Sequence, residues 1–338
     1  MAALVHSAGF DNNKTLKNVN HNWRHINMMI SPKILFKHCY GKYAIAAVNV
    51  FTMEQIHGLF SAAEYSNTPI IVQITPAARN YAQAEMLMAI VEAAAKIYPK
   101  TVFALHLDHG IEEHIFDAIN NNYTSVMIDA SHDDFEKNVK RTRVVVDKAH
   151  PKKIVVEAEL GVLSGVEDDM DIDSSKAFYT NPQQAKEFVE RTKCDSLAVA
   201  VGTSHGAYKF SGGKGLQLHI LKEIQEQLPD YPLVLHGSSS VNKKDVAEIN
   251  RYGGKLAENA SGVTDEELRK AINYGICKVN IATDLRLLWA KVHRKFFIEQ
   301  PDLFDPVLPG KEYMKACKEL LINKFEILGA AGKASLII

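Results

Sequence analysis

The chain has 338 residues, of which 46% are hydrophobic and 23% are charged, and its formal net charge is −1 at pH 7. Nucleic-acid-binding proteins usually carry a surplus of basic residues, so this balance argues against nucleic acid as a partner. No apolar run reaches the ~18 residues that a membrane-spanning helix requires, and no membrane partner is expected.

The first 28 residues form a polar extension ahead of the patterned part of the chain. After a short apolar start the sequence turns polar (DNNKTLKNVNHNWRH) and lacks the apolar core of a secretory signal peptide. Residues 1–28 are therefore predicted to be an extension whose composition is compatible with disorder, and residues 29–338 are predicted to be a single domain. The cysteines are far apart and form no CxxC pair, which is typical of reduced thiols and predicts a cytoplasmic protein.

Eight short apolar runs then follow one another along the chain. Each has five to eight residues, which suits a strand that is covered on both faces better than a buried helix. The runs are residues 43–50, 69–74, 102–108, 125–129, 154–160, 196–202, 232–237 and 277–281.

Amphipathic helical patterns separate many of these runs, and capping signals mark two of their starts. Asn181-Pro182 is an N-cap followed by proline, and Thr264 with Glu267 forms a capping box. Eight strand-helix units predict parallel strands closed into a (β/α)8 TIM barrel. A doubly wound sheet is disfavoured because no GxGxxG follows the first strand. Two further helical segments end the chain, and their apolar and aromatic residues serve either core packing or a subunit interface.

Polar side chains gather at the carboxyl ends of the predicted strands, which is where barrel enzymes place their active sites. The starts of the same strands carry few polar residues, so the asymmetry predicts a site at one end of the barrel. The strand-end residues are Asp108 and His109, Asp129, Glu157 and Glu159, His205, His236, and Asn280.

Three of these residues suit a metal ion. A single histidine is more often a hydrogen-bonded core residue than a ligand, but His109, His205 and His236 each lie beside a glycine at a different strand end. Neutral imidazoles in that arrangement are typical of catalytic Zn²⁺ or another divalent ion. His106, inside the third strand, is either a partner of the ligands or an interior histidine with its hydrogen bonds satisfied.

The turns after the sixth and seventh strands, GTSHGAYK and HGSSS, indicate a phosphorylated substrate. Backbone N–H groups and small hydroxyls can surround a phosphate there, and Lys209 adds positive charge. No lysine stands at a strand end where a Schiff base would form, because Lys278 lies at the start of the eighth strand. A metal with a carboxylate and a phosphate site therefore predicts chemistry at a polarised carbonyl.

Six segments, in order, resemble the class II, metal-dependent ketose-bisphosphate aldolases, above all those that act on fructose 1,6-bisphosphate. They are HLDHG, SVMIDASH, VEAELG, AVGTSHGAYKF, LVLHGSSSV and KVNIATDLR, and the resemblance spans roughly residues 30 to 330. It implies reversible cleavage of fructose 1,6-bisphosphate, a step of glycolysis and gluconeogenesis, to dihydroxyacetone phosphate and glyceraldehyde 3-phosphate. It also implies metal ligation by His109, His205 and His236 with Glu159 and Asp129 close by. The expected cofactor is Zn²⁺ or another divalent metal, with room for a monovalent cation.

The resemblance also assigns roles beyond the metal. Asp108 matches the acid/base that handles the C4 hydroxyl during C3–C4 cleavage. Glu167 matches a carboxylate on a mobile loop that moves the proton at the nucleophilic carbon. The positions implied for substrate binding are Asn49, Gly206, Lys209, Gly237, Ser239, Asn280, Thr283 and Arg286.

One position departs from the fructose-type pattern. Ala282 stands where these aldolases usually have an aspartate, which resembles the tagatose-1,6-bisphosphate branch and leaves that sugar, or relaxed specificity, open. A metal-dependent hydrolase and an inactive barrel kept as a binding protein are rival hypotheses for the same strand-end residues. A homodimer or homotetramer is the expected assembly.

Overall fold

A computed structural model describes residues 28–167, 170–172, 178–205, 215–257 and 262–338. All but one residue of the predicted N-terminal extension, and parts of the predicted mobile loop and of the turn after the sixth run, lie outside these ranges. No helix in the described part of the chain is long and apolar enough to cross a membrane.

Eight parallel strands form a closed barrel, and each corresponds to one of the eight apolar runs, so the predicted fold class is confirmed. The barrel strands are β1 (Ile45–Asn49), β2 (Ile70–Ile74), β3 (Phe103–Gly110), β4 (Ser125–Ile128), β5 (Val155–Leu160), β8 (Ser196–Val199), β10 (Leu233–Leu235) and β11 (Ile276–Ile281). Their order around the barrel is β1-β11-β10-β8-β5-β4-β3-β2.

Helices surround this barrel. In chain order they are α1 (Pro32–Cys39), α2 (Met53–Tyr65), α3 (Pro76–Ala82), α4 (Ala84–Ile97), α5 (Glu112–Asn120), α6 (Phe135–Ala149), α7 (Pro182–Thr192), α8 (Leu218–Gln227), α9 (Lys243–Arg251), α10 (Asp265–Ile272), α11 (Thr283–Glu299) and α12 (Val307–Ile327). The Asn181 cap of α7 and the Thr264 capping box of α10 are present as predicted.

The barrel interior changes from apolar to polar along the strand direction. Because side chains alternate between the two faces of a strand, every second residue of β1 and β3 points inward. On β1 the inward series runs from Ile45 to Asn49, and on β3 from Ala104 through His106 to Asp108. On these two strands the inward side chains are therefore apolar at the amino end and polar at the carboxyl end.

Helix α1 covers the amino end of the barrel. Its Leu35, Phe36 and Cys39 pack in one buried cluster with Ile45 of β1 and Ile71 of β2. Each fully buried Leu or Phe side chain contributes about 1.5–3 kcal/mol relative to an exposed one. This packing closes the end of the barrel that is opposite to the polar residues.

A small second sheet extends from the carboxyl end. It consists of β6 (Ser164–Glu167), β7 (Met170–Ile172) and β9 (Ser204–His205), in the order β7-β6-β9. The predicted mobile loop thus contains a β-hairpin, which the alternating apolar residues Val166, Met170 and Ile172 could have indicated.

Candidate active site

A bulge near the end of β3 brings two consecutive residues to the barrel mouth. In a regular strand Asp108 and His109 would point to opposite faces. Pairing with β4 shifts register between Leu107 and Gly110, and His109 adopts a left-handed conformation with φ 45°. A β-bulge re-aims side chains in this way, so both Asp108 and His109 reach the same site.

His109 and His236 face each other across the mouth. His109 Nε2 and His236 Nδ1 are 3.1 Å apart. The other nitrogen of each ring meets a carboxylate: His109 Nδ1 lies 3.0 Å from Asp129 and His236 Nε2 lies 3.0 Å from Glu157. Histidines that bind metals usually donate their second N–H to such a partner, which fixes the tautomer. The two facing nitrogens are therefore the candidate ligand atoms for a metal ion.

A buried ion pair supports His236 from inside the barrel. Lys278 Nζ lies 2.9 and 2.8 Å from the two carboxylate oxygens of Glu157, and both side chains are almost fully buried. Burial alone would raise the pKa of Glu157, but the Lys278 ammonium, with His106 and His236, holds it well below its usual range. Glu157 is therefore an ionised acceptor for His236.

His106 is an interior residue rather than a member of the facing pair. Its Nδ1 lies 2.8 Å from Ser125 Oγ, and its Nε2 lies 3.3 Å from Lys278 Nζ. Burial, and then the charge of Lys278, lowers the pKa of His106 to about 3, so the ring is neutral. Its hydrogen bonds are satisfied inside the barrel, by Ser125 and by the lysine that pairs with Glu157.

Three amide side chains hold Asp108. Its Oδ2 accepts from Asn49 Nδ2 at 2.8 Å and from Gln73 Nε2 at 3.3 Å, and its Oδ1 accepts from Asn280 Nδ2 at 3.3 Å. Burial alone would raise the pKa of Asp108, but the positive charges of His109 and Lys278 lower it below its ordinary value. Asp108 is thus a buried carboxylate that is ionised at neutral pH.

Two further carboxylates lie close to the facing histidines. Glu159 Oε2 is 3.6 Å from His236 Nδ1 and, although buried, has no hydrogen-bond partner among the described residues. Asp129 is held by the backbone N–H and hydroxyl of Ser131 while it contacts His109. Burial alone would lower the pKa of His109, but Asp108 and Asp129 raise it well above its usual value, so the surroundings favour positive charge there.

These groups fit a divalent cation. His109, Asp129 and Glu159 have potential ligand atoms within 4.8 Å of one another, as do Asp108, His109 and His236. A buried carboxylate oxygen without a partner costs free energy unless a cation or a proton occupies its surroundings. Imidazole nitrogens with one or two carboxylate oxygens are a donor set that zinc and similar ions accept.

The rim of the mouth is built by the ends of β10 and β11. Gly237 has φ 57°, and a Cβ there would lie 2.6 Å from the carbonyl oxygen of Ser204, so only glycine lets these chains approach. Asp284 accepts from the backbone N–H groups of Ser240 and Val241 at 3.2 and 3.1 Å and pairs with Lys324 at 3.0 Å. The turn that contains the predicted phosphate-binding glycine is thereby anchored to α11 and α12.

The remaining predicted residues are located as follows. Ser239 is buried in the turn after β10, and Thr283 is buried at the start of α11. The Arg286 guanidinium lies over the Phe51 ring, 5.0 Å from its centre. Glu167 lies on β6 and His205 on β9, strands that pair with each other, but their side chains are outside the described part of the structure. Gly206 and Lys209 lie outside the described residues altogether.

Gln73 and the Lys278–Glu157 pair were not predicted as site residues. Gln73 is the only polar residue in the apolar run PIIVQI. A polar residue in an apolar run is also the signal that distinguished Asp108 in its strand. Glu157 was recognised at a strand end, yet its pairing with Lys278 was not, because 121 positions separate them in the chain. Only closure of the barrel makes them neighbours.

With this geometry established, comparison with known proteins identifies the family. The profile described as fructose-bisphosphate aldolase class-II matches residues 31–255 and 258–333. The chain belongs to this family. It is 44% identical over 299 residues to the fructose-bisphosphate aldolase of Giardia intestinalis, covering 87% of this chain and 90% of that protein. It is also 40% identical over 296 residues to that of Thermus caldophilus, covering 86% of this chain and 95% of that protein.

Solved structures support the same membership. The crystal structure of the YdjI aldolase from Escherichia coli K12 aligns with a TM-score of 0.73 at 33% identity, covering 91% of this chain and 100% of that one. Class II aldolases are metal-dependent enzymes that act on phosphorylated sugars. The histidines and carboxylates at the mouth are the groups of this chain that meet the first of these requirements.

Proposed function

We propose that the protein catalyses the reversible cleavage of fructose 1,6-bisphosphate to dihydroxyacetone phosphate and glyceraldehyde 3-phosphate. The observation that supports this most directly is the juxtaposition of two elements. The facing nitrogens of His109 and His236 belong to rings that are each backed by a carboxylate. Beside them Asp108 is buried, ionised and held by three amides. A cation site next to a fixed base is what metal-dependent aldol cleavage requires.

His109, His236 and, from β9, His205 are the proposed metal ligands, with Glu159 as a carboxylate that can join them. Zn²⁺ is the first candidate ion, because imidazole and carboxylate ligands suit it. When bound, such an ion supplies Lewis-acid polarisation of a ketone carbonyl. Asp129 was predicted to lie close to the metal. We propose that its main role is to hold His109, since one carboxylate oxygen lies 3.0 Å from His109 Nδ1 and the other accepts from the Ser131 hydroxyl.

Asp108 is the proposed general base for the C4 hydroxyl. Its carboxylate is ionised at neutral pH, so it can take the hydroxyl proton as the C3–C4 bond breaks and return it in the reverse direction. Asn49, Gln73 and Asn280 fix the two oxygens and so limit the rotation of the carboxylate. Glu167 is the proposed group that moves the proton at the nucleophilic carbon, and its strand pairs with β9, which contains His205.

The rim residues are proposed to bind the rest of the substrate. Gly206, Lys209, Gly237, Ser239, Asn280 and Thr283 are assigned to the dihydroxyacetone phosphate half. Asn49 and Arg286 are assigned to the other half, with Arg286 on the distal phosphate. A planar guanidinium suits that phosphate because it can donate two parallel hydrogen bonds.

Tagatose 1,6-bisphosphate is the second candidate substrate. Ala282 is buried immediately before α11 and makes no side-chain cap there, so this chain has no carboxylate at that point of the mouth. The two sugars differ only in configuration at C4. A missing carboxylate near the substrate therefore bears on which of the two is preferred.

A coupled assay on both bisphosphates, with and without a chelator, tests these proposals together. We expect cleavage of the fructose sugar with the higher kcat/KM and loss of activity with chelator. A tenfold or greater preference for the tagatose sugar would reverse the order of the two candidates. Absence of activity on both, after zinc addition, would support an inactive barrel that serves as a binding protein.

Assembly, a monovalent cation and the cytoplasmic location stay predictions. Exposed apolar residues on α11 and α12, among them Trp289, Phe297 and Val307, support a homodimer or homotetramer. Light scattering after size exclusion measures the mass directly. Assays in potassium, sodium and tetramethylammonium salts at one ionic strength measure the cation effect.

A further inference from the structure

A cavity of about 880 Å³ opens at the amino end of the barrel, opposite to the candidate active site. Its walls come from α1, from the turn that follows α1, from the segment before β5, from the residue before β8 and from the C-terminus. The lining residues are Ser31, Lys33, Ile34, Lys37, His38, Lys42, His150, Lys153, Ile154, Val155, Asp195 and Ile337. A cavity of this size is within the range of small-molecule sites.

The charge around this cavity is unbalanced. Four lysines and one aspartate line it, so three positive charges are in excess even when the histidines are neutral. The single carboxylate, Asp195, already lies 2.9 Å from His150 and accepts from the backbone N–H of Val156, and it approaches Lys33 only at 3.7 Å. It is therefore not available to neutralise the other lysines.

Three lysines of the lining have no counter-charge in the described part of the structure. Within the described ranges no carboxylate forms an ion pair with Lys37, Lys42 or Lys153. Like charges around one concave, partly apolar surface repel each other and raise the local concentration of anions. An arrangement of this kind gains free energy when a polyanion enters.

The other part of the lining is apolar. Ile34, which is 49% exposed, lines the cavity together with Ile154, Val155 and Ile337. Ile154 and Val155 are already buried, so an inorganic anion would leave mainly Ile34 and Ile337 in contact with water. A ligand with both phosphates and a flat or aliphatic part would satisfy the lysines and cover the isoleucines.

None of these residues belongs to the proposed catalytic machinery. Val155 begins β5, whereas Glu159 on the same strand is at the mouth, four residues and about 13 Å further along at ~3.3 Å per residue. In barrel enzymes the amino end ordinarily contributes stability rather than chemistry. The lysines around this cavity repel one another, and this repulsion lowers stability as long as no anion is bound.

We propose that this cavity is a second binding site, distinct from the active site, for a phosphorylated small molecule with an apolar part, the chemical class that includes nucleoside polyphosphates. The lysines from α1, its following turn and the segment before β5 bind the phosphates, and the isoleucine side chains contact the apolar part. The proposal does not depend on which sugar the enzyme cleaves.

Equilibrium dialysis of labelled ADP against the full-length, zinc-loaded protein tests the proposal. We expect one ADP bound per chain outside the active site, with binding that weakens as salt concentration rises. The variant Lys37→Glu/Lys153→Glu should weaken ADP binding about tenfold or more, because charge-assisted contacts are lost and repulsion is added. Its aldol cleavage in the absence of ADP should stay within about twofold of wild type.

Three further variants keep the result unambiguous. Lys140→Glu/Lys311→Glu, which reverses two exposed helical lysines outside the cavity, should bind ADP like the wild type. Arg286→Ala, at the mouth, should also bind ADP unchanged. Lys37→Gln/Lys153→Gln, which only neutralises the charges, should give an intermediate affinity and serves if the reversed variant does not fold.

Several outcomes would overturn the proposal. They are the absence of saturable ADP binding to the wild type, equal binding in the wild type and in both cavity variants, and loss of ADP binding in Arg286→Ala. The last would mean that ADP occupies the active site. Inorganic tripolyphosphate that binds as tightly as ADP would also overturn the proposal, because no apolar part of the ligand would then be recognised.

Discussion

The charged side chains at the mouth of the barrel are buried and paired, whereas most of those around the cavity at the amino end are exposed and unpaired among the described residues. At the mouth, Asp108, Glu157 and Lys278 are nearly inaccessible to water, and each is held by named partners at hydrogen-bond distance. At the amino end, Lys37 and Lys153 are exposed around a cavity and have no ion-pair partner among the described residues. Buried charges must be paired, whereas exposed charges need not be.

The difference teaches how to interpret a charged residue in this fold. A buried side chain whose polar atoms all have partners is held in one orientation, and metal ligation and proton transfer both need such a fixed orientation. An exposed, unpaired group keeps its conformational freedom and can meet a ligand that arrives from solvent. Substitutions at the mouth should therefore have large and specific effects on activity or metal binding. Substitutions at the amino end should have small effects unless a ligand is present.

Among the changes at the mouth, removal of the metal should have the largest effect on aldol cleavage. We expect a strong chelator to lower aldol cleavage by roughly 10³-fold or more, because carbonyl polarisation is lost, and added Zn²⁺ to restore it. Coupled assays and elemental analysis measure the two quantities on one sample. Full activity in a preparation shown to contain no metal would contradict the proposed mechanism.

Asp108→Ala should have the next largest effect on aldol cleavage. Loss of a general base is expected to lower kcat by about 10²-fold or more while bound metal stays near one ion per chain. The matched control is Asp134→Ala, which removes the exposed N-cap of α6 and should cost about 1 kcal/mol of stability without a change in kcat. A near-normal kcat in Asp108→Ala would exclude this residue as the base.

Lys278→Met tests whether the interior ion pair positions His236. Without the ammonium, Glu157 loses its fixed orientation, and we expect zinc affinity to fall about 10–100-fold. The control is Lys324→Met, since Lys324 is also buried and paired, with Asp284, but contacts neither facing histidine. Zinc affinity is measured by competition with a coloured chelator.

Stability must be measured for both lysine variants. Each leaves a buried carboxylate without its partner, so each is expected to lose about 3–5 kcal/mol on unfolding in denaturant. The double variant Lys278→Met/Glu157→Gln, which leaves neither charge without its partner, should reproduce the loss of zinc affinity if Lys278→Met does not fold. Equal zinc affinity in Lys278→Met and Lys324→Met would show that the interior pair has no positioning role.

Lys37→Gln should have the smallest effect. In the absence of a ligand, the removal of one exposed positive charge should change the free energy of unfolding by no more than about 0.5 kcal/mol. Relief of repulsion between the lysines stabilises the variant, whereas loss of a positive charge in the last turn of α1 destabilises it, so the net change should be small. It should vanish near 1 M salt, because screening removes both effects. Destabilisation by more than about 1 kcal/mol would show that Lys37 has a structural partner.

Much of the architecture follows from local pattern. The eight apolar runs predicted all eight barrel strands, because a strand covered on both faces requires a short continuous apolar segment. The caps Asn181 and Thr264 were predictable because their hydrogen bonds join neighbours in sequence. The hairpin of β6 and β7 was missed, because its polar composition obscured a weak alternation.

The candidate site was predictable to a lesser degree. Polar residues at strand ends identified Asp108, His109 and His236, since the fold brings all strand ends to one rim. Which nitrogen of His109 faces His236, and which carboxylate holds each ring, depends on distances across the barrel. Gln73 and Lys278 were recognised as part of the site only from such distances, that of Gln73 to Asp108 and that of Lys278 to Glu157.

The sequence by itself determined the strand order along the chain, the barrel class and the identity of the polar groups at the mouth. Only the tertiary structure decided that Lys278 neutralises Glu157, that the bulge at His109 turns a second side chain into the site, and that four lysines surround one cavity. The reason is physical. Periodicity and capping depend on residues a few positions apart, whereas pairing of buried charges depends on contacts that exist only after the barrel closes.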